Sequence, residues 1–222
     1  MNKNLFIGSF TTLAIVVSFY LLLHQPADKG EQIATNVSEA LGQQAAVEAV
    51  RILGNGRQAA VVGIDFQPGQ APTYEATLKA FRQKMKQKGI KIAATTTISG
   101  GLNMMMLGMK LSPKEYAALL AQSPVAGVVV SFVGAPNMTP VELNRFQSNR
   151  PPLIVVDIFG RSNRSELEAM VAEKSVAVAF VQRSGLEIEK EKQQANLIDR
   201  YYETLRAPGS PDSASDTRAA KQ

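Results

Sequence analysis

At 222 residues with a formal net charge of +5, the chain has room for one domain of ordinary size plus appendages. Hydrophobic residues make up 45% of it, enough for a packed core, so wholesale disorder is excluded. Cysteine is absent and there is one histidine, which removes disulfides, thiolate metal sites and thiol catalysis together.

The first element is an apolar run, "LFIGSFTTLAIVVSFYLLL", nineteen residues from Leu5 to Leu23 without a charge. That is about the length a helix needs to cross a bilayer core. A cleavable signal would be shorter in its apolar part and would end in a small-x-small site, whereas the exit here reads "HQPADKG". The run is therefore expected to be an uncleaved transmembrane signal-anchor over residues 1–24. Lys3 and the α-amino group lie before it, and Asp28, Lys29 and Glu31 follow. The positive flank marks the cytoplasmic side. A single-pass inner-membrane protein is expected, its N-terminus inside and its domain in the periplasm or an equivalent extracytoplasmic space.

Residues 25–57 are expected to form a juxtamembrane helical linker. "QIATNVSEALGQQAAVEAVRIL" has helical spacing at Ile33, Val37, Leu41 and Ala45, with Gly42 weakening its middle, and stops at "GNG". It reads as one helix or two short ones.

Beyond that turn, short apolar runs recur at 58–64, 91–98, 125–133, 152–158 and 176–182. They are β-branched and nearly continuous, the pattern of strands buried on both faces of a parallel sheet. Helix start signals lie between them: "SPKE" at Ser112, "TPVE" at Thr139 and "SELE" at Ser165 all match the capping box. The first crossover helix, about Thr73 to Lys88, carries an apolar stripe of Tyr74, Leu78, Phe81 and Met85. Around it sit Lys79, Arg82, Lys84, Lys86 and Lys88, then Lys91, against Glu75 alone. That face is either solvated or an electrostatic dock for anionic headgroups or an acidic partner. Residues 186–207 are expected to form a C-terminal helix, and the Pro/Ser/Asp/Ala-rich 208–222 a disordered tail. The expected fold is α/β: an open parallel five-stranded sheet, Rossmann-like or flavodoxin-like in order 2-1-3-4-5, over residues 58–207.

Taken together, "AAVVGIDFQPGQAPTYEATLKAFRQKMKQKGIKIAATTT", "SPVAGVVVS", "RPPLIVVDIFG" and "SVAVAFVQ" resemble the N-terminal lobe of type I periplasmic sugar-binding proteins and their repressor relatives. The resemblance covers about residues 58–183. It implies ligand binding at the strand ends, with the aspartate of "PLIVVD" beside the ligand and Phe66 and Gln67 in the loop after the first strand. Family members close two such lobes on a ligand, whereas one is legible here.

In open α/β sheets ligands gather at the carboxyl ends of strands. Those ends bring Asp65, Phe66, Gln67, Thr97, Ser131, Asp157 and Arg183 as candidate ligand-binding residues. They either form a polar pocket or cap the strands. Between the second strand and the helix at Ser112 lies "SGGLNMMMLGMKL", long for such a connection. Its Met104, Met105, Met106, Leu107 and Met109 are flexible, polarizable side chains that suit either an irregular sheet edge or a docking surface for a protein partner. His24 sits at the expected membrane boundary, and no nucleophile elbow, Walker loop or dinucleotide fingerprint occurs. No enzyme activity, cofactor or metal is expected, nor nucleic-acid binding. The function expected is an anchored, non-catalytic interaction module with a protein partner or as a homodimer. The alternative is a small-ligand, sugar-like binding or sensing lobe.

Overall fold

The computed structural model describes residues 29–54, 58–98, 110–146, 151–160, 162–183 and 197–207. The chain divides into two compact units, Met1–Ala34 and Thr35–Gln222. Of the first unit, the described part is the opening of helix α1, Lys29–Leu53, where Ile33 is exposed. The expected span at Leu5–Leu23 lies outside the described residues. Among the described residues, no helix is long and apolar enough to cross a membrane.

The second unit is a layered α/β domain. Its strands are β1 (Gln58–Ile64), β2 (Ile92–Ile98), β3 (Ala126–Ser131), β4 (Leu153–Val156), β5 (Val178–Gln182) and β6 (Tyr202–Arg206). Its further helices are α2 (Pro72–Gln87), α3 (Pro113–Gln122), α4 (Pro140–Arg145), α5 (Arg164–Ala172) and α6 (Leu197–Tyr201). The strands lie in the order β2-β1-β3-β4-β5-β6. This differs from the expected 2-1-3-4-5 by a sixth strand at the β5 edge, and the sheet is mostly rather than wholly parallel. β6 runs antiparallel to β5, pairing Gln182 with Tyr202 and Phe180 with Thr204.

The sixth strand also corrects the C-terminal helix expected over 186–207. Leu197, Ile198, Tyr201 and Leu205 do fall at helical spacing, but among the described residues of that stretch the helix covers Leu197–Tyr201 alone. The chain then goes straight into "YETLR". A short stretch rich in Tyr and Thr beside an open sheet edge gains a ladder of backbone hydrogen bonds there, which outweighs local helix propensity.

Strand parity builds two cores. Ala59, Val61, Val128, Val130, Ile154, Val156, Val178 and Phe180 face one side, with α1 and α2. Ala60, Val62, Val129, Leu153, Val155, Ala179 and Val181 face the other, with Tyr116 and Leu119 of α3, Leu143 of α4 and Leu167 and Met170 of α5. Residues of both parities thus meet a helix layer, which is why these strands lack polar alternation. β2 departs from the doubly buried pattern. It pairs only with β1, and Ala93, Thr95 and Thr97 are exposed along it.

α1 is one unbroken helix, and from Val37 onward it belongs to the core, with Leu41, Ala45, Ala46 and Ala49 buried. Gly42 does not interrupt it. A Cβ at that position would lie 2.1 Å from the carbonyl oxygen of Thr77, so glycine is what lets α1 and α2 approach so closely. At its far end Glu48, 2% exposed, receives Arg206 of β6 at 2.9 Å and Arg51 at 2.8 Å. On α2, Tyr74, Phe81 and Met85 are buried as expected, joined by Thr77 and Ala80, and Phe81 meets Phe132 edge-on at 5.1 Å.

Two expected capping boxes form as read. The side chains of Ser112 and Thr139 accept from the amides of Glu115 and Glu142, whose carboxylates return the contact to the cap amides at 2.8 Å. Those hydrogen bonds hold both carboxyls below the usual carboxylate range, the hydroxyl contact leading for Glu115 and the backbone contact for Glu142. The third box does not form. α5 begins two residues earlier, at Asn163, whose side chain accepts from the amide of Ser165 at 3.0 Å. Glu168 instead pairs with Arg164 at 2.9 Å.

Candidate functional site at the strand ends

The chain turns one way from β1 to β2 and the other way from β3 to β4, so the carboxyl ends of β1 and β3 flank the switch point at which open α/β sheets bind ligands. On the β1 side, Asp65 and Gln67 are exposed and Phe66 is half-buried. The Asp65 amide donates to the carbonyl of Ile98 at 3.2 Å, which carries the chain out of the sheet. A tight turn follows: the Gln67 amide donates to the side chain of Gln70, and the Gly69 amide to Glu75 at 2.8 Å. Gly69 takes φ +82°, a backbone region open to glycine without strain.

Phe66 is held by two rings from outside the strand-end candidates. It meets Tyr74 edge-on at 5.1 Å and Phe159 at 6.3 Å, while Tyr74 and Phe159 stack at 6.1 Å. Tyr74 comes from the first turn of α2 and Phe159 from the loop after β4. The Tyr74 hydroxyl accepts the amide of Ile64 at 2.7 Å. Burial raises the pKa of that phenol, against a smaller lowering from the Ile64 hydrogen bond. Tyr74 is buried, and Phe66 and Phe159 each keep part of their surface exposed. The result is an apolar ledge bordered by Asp65 and Gln67.

The remaining candidates lie at the ends of β2, β3, β4 and β5. Ser131 is buried, and its hydroxyl donates to the carbonyl of Gly134 at 2.6 Å, closing the turn after β3. Asp157, 3% exposed, accepts the Ser162 amide at 2.9 Å and closes the turn after β4. It also sits near Tyr202, whose phenol burial above all, and then this carboxylate, push up to about 12. Arg183 is half-buried at the end of β5, its amide donating to Tyr201 at 2.9 Å. Thr97 is exposed on edge strand β2.

The sequence signal for Phe159 was present in "VVDIFG", immediately after the strand. Tyr74 was visible only as one member of the helix stripe. Met104, Met105, Met106, Leu107 and Met109 lie outside the described residues, as does His24. The segment is described again from Lys110, which pairs with Glu166 at 2.9 Å, and Leu111, which is fully buried. Among the described residues, no cluster of His, Asp or Glu is arranged to hold a metal ion.

No protein-family model matches the sequence, and no curated protein matches it. Among solved structures it is similar to GanP, a glucose-galactose binding protein from Geobacillus stearothermophilus. That match has TM-score 0.50 and 13% identity, covering 78% of this chain and 61% of that one. A carbohydrate transporter solute binding protein from Agrobacterium radiobacter, in complex with D-arabinose, matches at TM-score 0.49 and 17% identity, covering 83% and 62% of the two chains. AraP, an arabinose binding protein from Geobacillus stearothermophilus, matches at 0.49 and 17%, covering 65% and 45%. The chain thus spans about half to three-fifths of the length of these structures. The domain has, at the level of fold, the α/β lobe of type I periplasmic sugar-binding proteins.

Proposed function

We propose that the domain is a non-catalytic lobe that binds or senses a small sugar-like ligand, held on the extracytoplasmic side of a membrane by the N-terminal segment. The observation that carries this reading is the ledge of Phe66, Tyr74 and Phe159 between the exposed Asp65 and Gln67, at the strand ends of a fold shared with a glucose-galactose binding protein. Sugar rings offer both apolar CH faces and hydroxyl donors, and a site pairing aromatic surface with a carboxylate and an amide answers both. In this reading Asp65 and Gln67 take the hydroxyls, with Thr97 and Arg183 at the margins. Ser131 and Asp157 set the shape of the turns.

An α/β ledge of this kind covers a ligand from one side. A facing wall supplied by a protein partner or a second copy is the companion reading, and Met104, Met105, Met106, Leu107 and Met109 are its proposed contact surface.

The test is saturation-transfer NMR of the full-length chain against a panel of aldopentoses, aldohexoses and nucleosides. A transfer signal that disappears in Phe66→Ala and Asp65→Asn, both with unchanged circular dichroism, supports the lobe as a ligand site. Absence of transfer from every compound, alongside co-purification of a stoichiometric protein, sinks that reading in favour of the docking one.

A further inference from the structure

The cations of α2 and of the turn that follows it are segregated from the rest of the chain's charge. Lys79, Arg82, Lys84, Lys86, Lys88 and Lys91 account for six of its 24 Lys and Arg, and Glu75 is the one acid among its 19 that lies between Pro72 and Lys91. Eighteen of each sign are left elsewhere, so this one segment carries the entire formal excess of +5.

The structure explains why these charges stay available. The buried side of α2 is occupied by Tyr74, Thr77, Ala80, Phe81 and Met85, which leaves Lys79, Arg82 and Lys86 at helical spacing on the outward side, all exposed. The helix closes at Lys88, and Gly89 at φ +70° turns the chain, leaving Lys88 and Lys91 exposed at its end. Lys84 borders a shallow groove between α1 and α2 with Gln43, Gln83 and Gln87. Among the described residues none of the six forms an ion pair. Arg51, Lys110, Arg164 and Arg206 all do, with Glu48, Glu166, Glu168 and again Glu48.

We infer that the outward face of α2 is a docking surface for an anionic lipid surface. A folded acidic partner would call for a concave or apolar centre to exclude water, with the charges at its rim. No large exposed hydrophobic side chain lies on α2 between Pro72 and Gln87. Five of the six cations are lysines, compact point charges on flexible stems that suit a diffuse field of headgroups better than a fixed carboxylate pair. Each basic side chain near an anionic membrane contributes about 1 kcal/mol, and the attraction fades within a Debye length. α2 meets the Phe66 ledge through the buried Tyr74, whereas Lys79, Arg82 and Lys86 are on its exposed side, so the surface stands whether or not the ledge binds sugar.

The absence of native cysteine makes a site-specific probe simple. A polarity-sensitive fluorophore is placed at Gln83→Cys in the full-length chain, held in phosphatidylcholine nanodiscs, and titrated with separate vesicles. Vesicles containing phosphatidylglycerol are expected to shift its emission, added salt to reverse the shift, and phosphatidylcholine vesicles to leave it unchanged. Lys79→Gln/Arg82→Gln/Lys86→Gln should weaken the apparent vesicle affinity roughly a hundredfold, from about 1 kcal/mol per cation. Lys79→Arg/Lys86→Arg should retain it. Equal response to both lipids, no response to either, or a shift that requires added acidic protein would each overturn the inference.

Discussion

The hydroxyl of Tyr74 lies 2.7 Å from the amide nitrogen of Ile64, joining the first turn of α2 to the last residue of β1. The same hydroxyl leaves no room for a side chain at Gly63, where a Cβ would come within 2.4 Å of it. One residue therefore supports the aromatic ledge from beneath and terminates a strand. Tyr74→Phe keeps the ring and loses the acceptor. Unfolding in urea should register a cost of about 1–2 kcal/mol, because a part-buried amide is left unsatisfied.

Alkali should find a second tyrosine. The phenol of Tyr202 is pushed up to about 12 by burial and by Asp157, and that of Tyr74 is also raised. A raised folded-state pKa means stability fully present below the unfolded value of about 10 and lost as pH climbs through the folded one. Between about pH 10 and pH 12, Tyr202 should withdraw roughly 2–3 kcal/mol. Urea midpoints across that window should fall, and the fall should be visibly shallower in Tyr202→Phe.

At Gly42 the usual sign of a substitution reverses. Gly→Ala inside a helix ordinarily gains about 1 kcal/mol. Here the added methyl would meet the Thr77 carbonyl at 2.1 Å, so α1 and α2 must separate. Gly42→Ala should lower stability by about 2 kcal/mol or more, the overpacking range, read as a drop in thermal midpoint.

Glu48 ties α1 to the last strand through Arg206, with Arg51 alongside. Glu48→Ala strands partly buried guanidinium groups and should cost about 3 kcal/mol. In a double-mutant cycle, adding Arg206→Ala should cost less on that background than in the parent chain, since the pair is already broken.

The start of α5 separates two readings of one stretch. Asn163→Ala removes the acceptor for the Ser165 amide and should cost about 1 kcal/mol by denaturation. Ser165→Ala, the position the capping-box pattern favoured, should cost less.

Much of the architecture was already legible in the chain. The bounds of β1 coincide with the run "QAAVVGI", and the helix starts at Ser112 and Thr139 were readable because caps and apolar runs are local features. Parity along β1, β3, β4 and β5 likewise follows from residues that must face one of two helix layers. What the tertiary structure decided were matters of neighbourhood. "YETLR" became a strand because an open β5 edge lay beside it, and Gly42 was tolerated because α2 passes so close. β2 lost its cover because it stands at the sheet's edge. The proposed site followed the same division. Asp65, Phe66 and Gln67 were legible from their place after a strand, whereas Tyr74 and Phe159, 85 positions apart, became partners of Phe66 only by folding. Ser131 and Asp157 look the same in sequence whether they face a ligand or close a turn. Their hydrogen bonds to the Gly134 carbonyl and the Ser162 amide arise only in the folded chain, since a buried polar group takes the nearest partner that satisfies it.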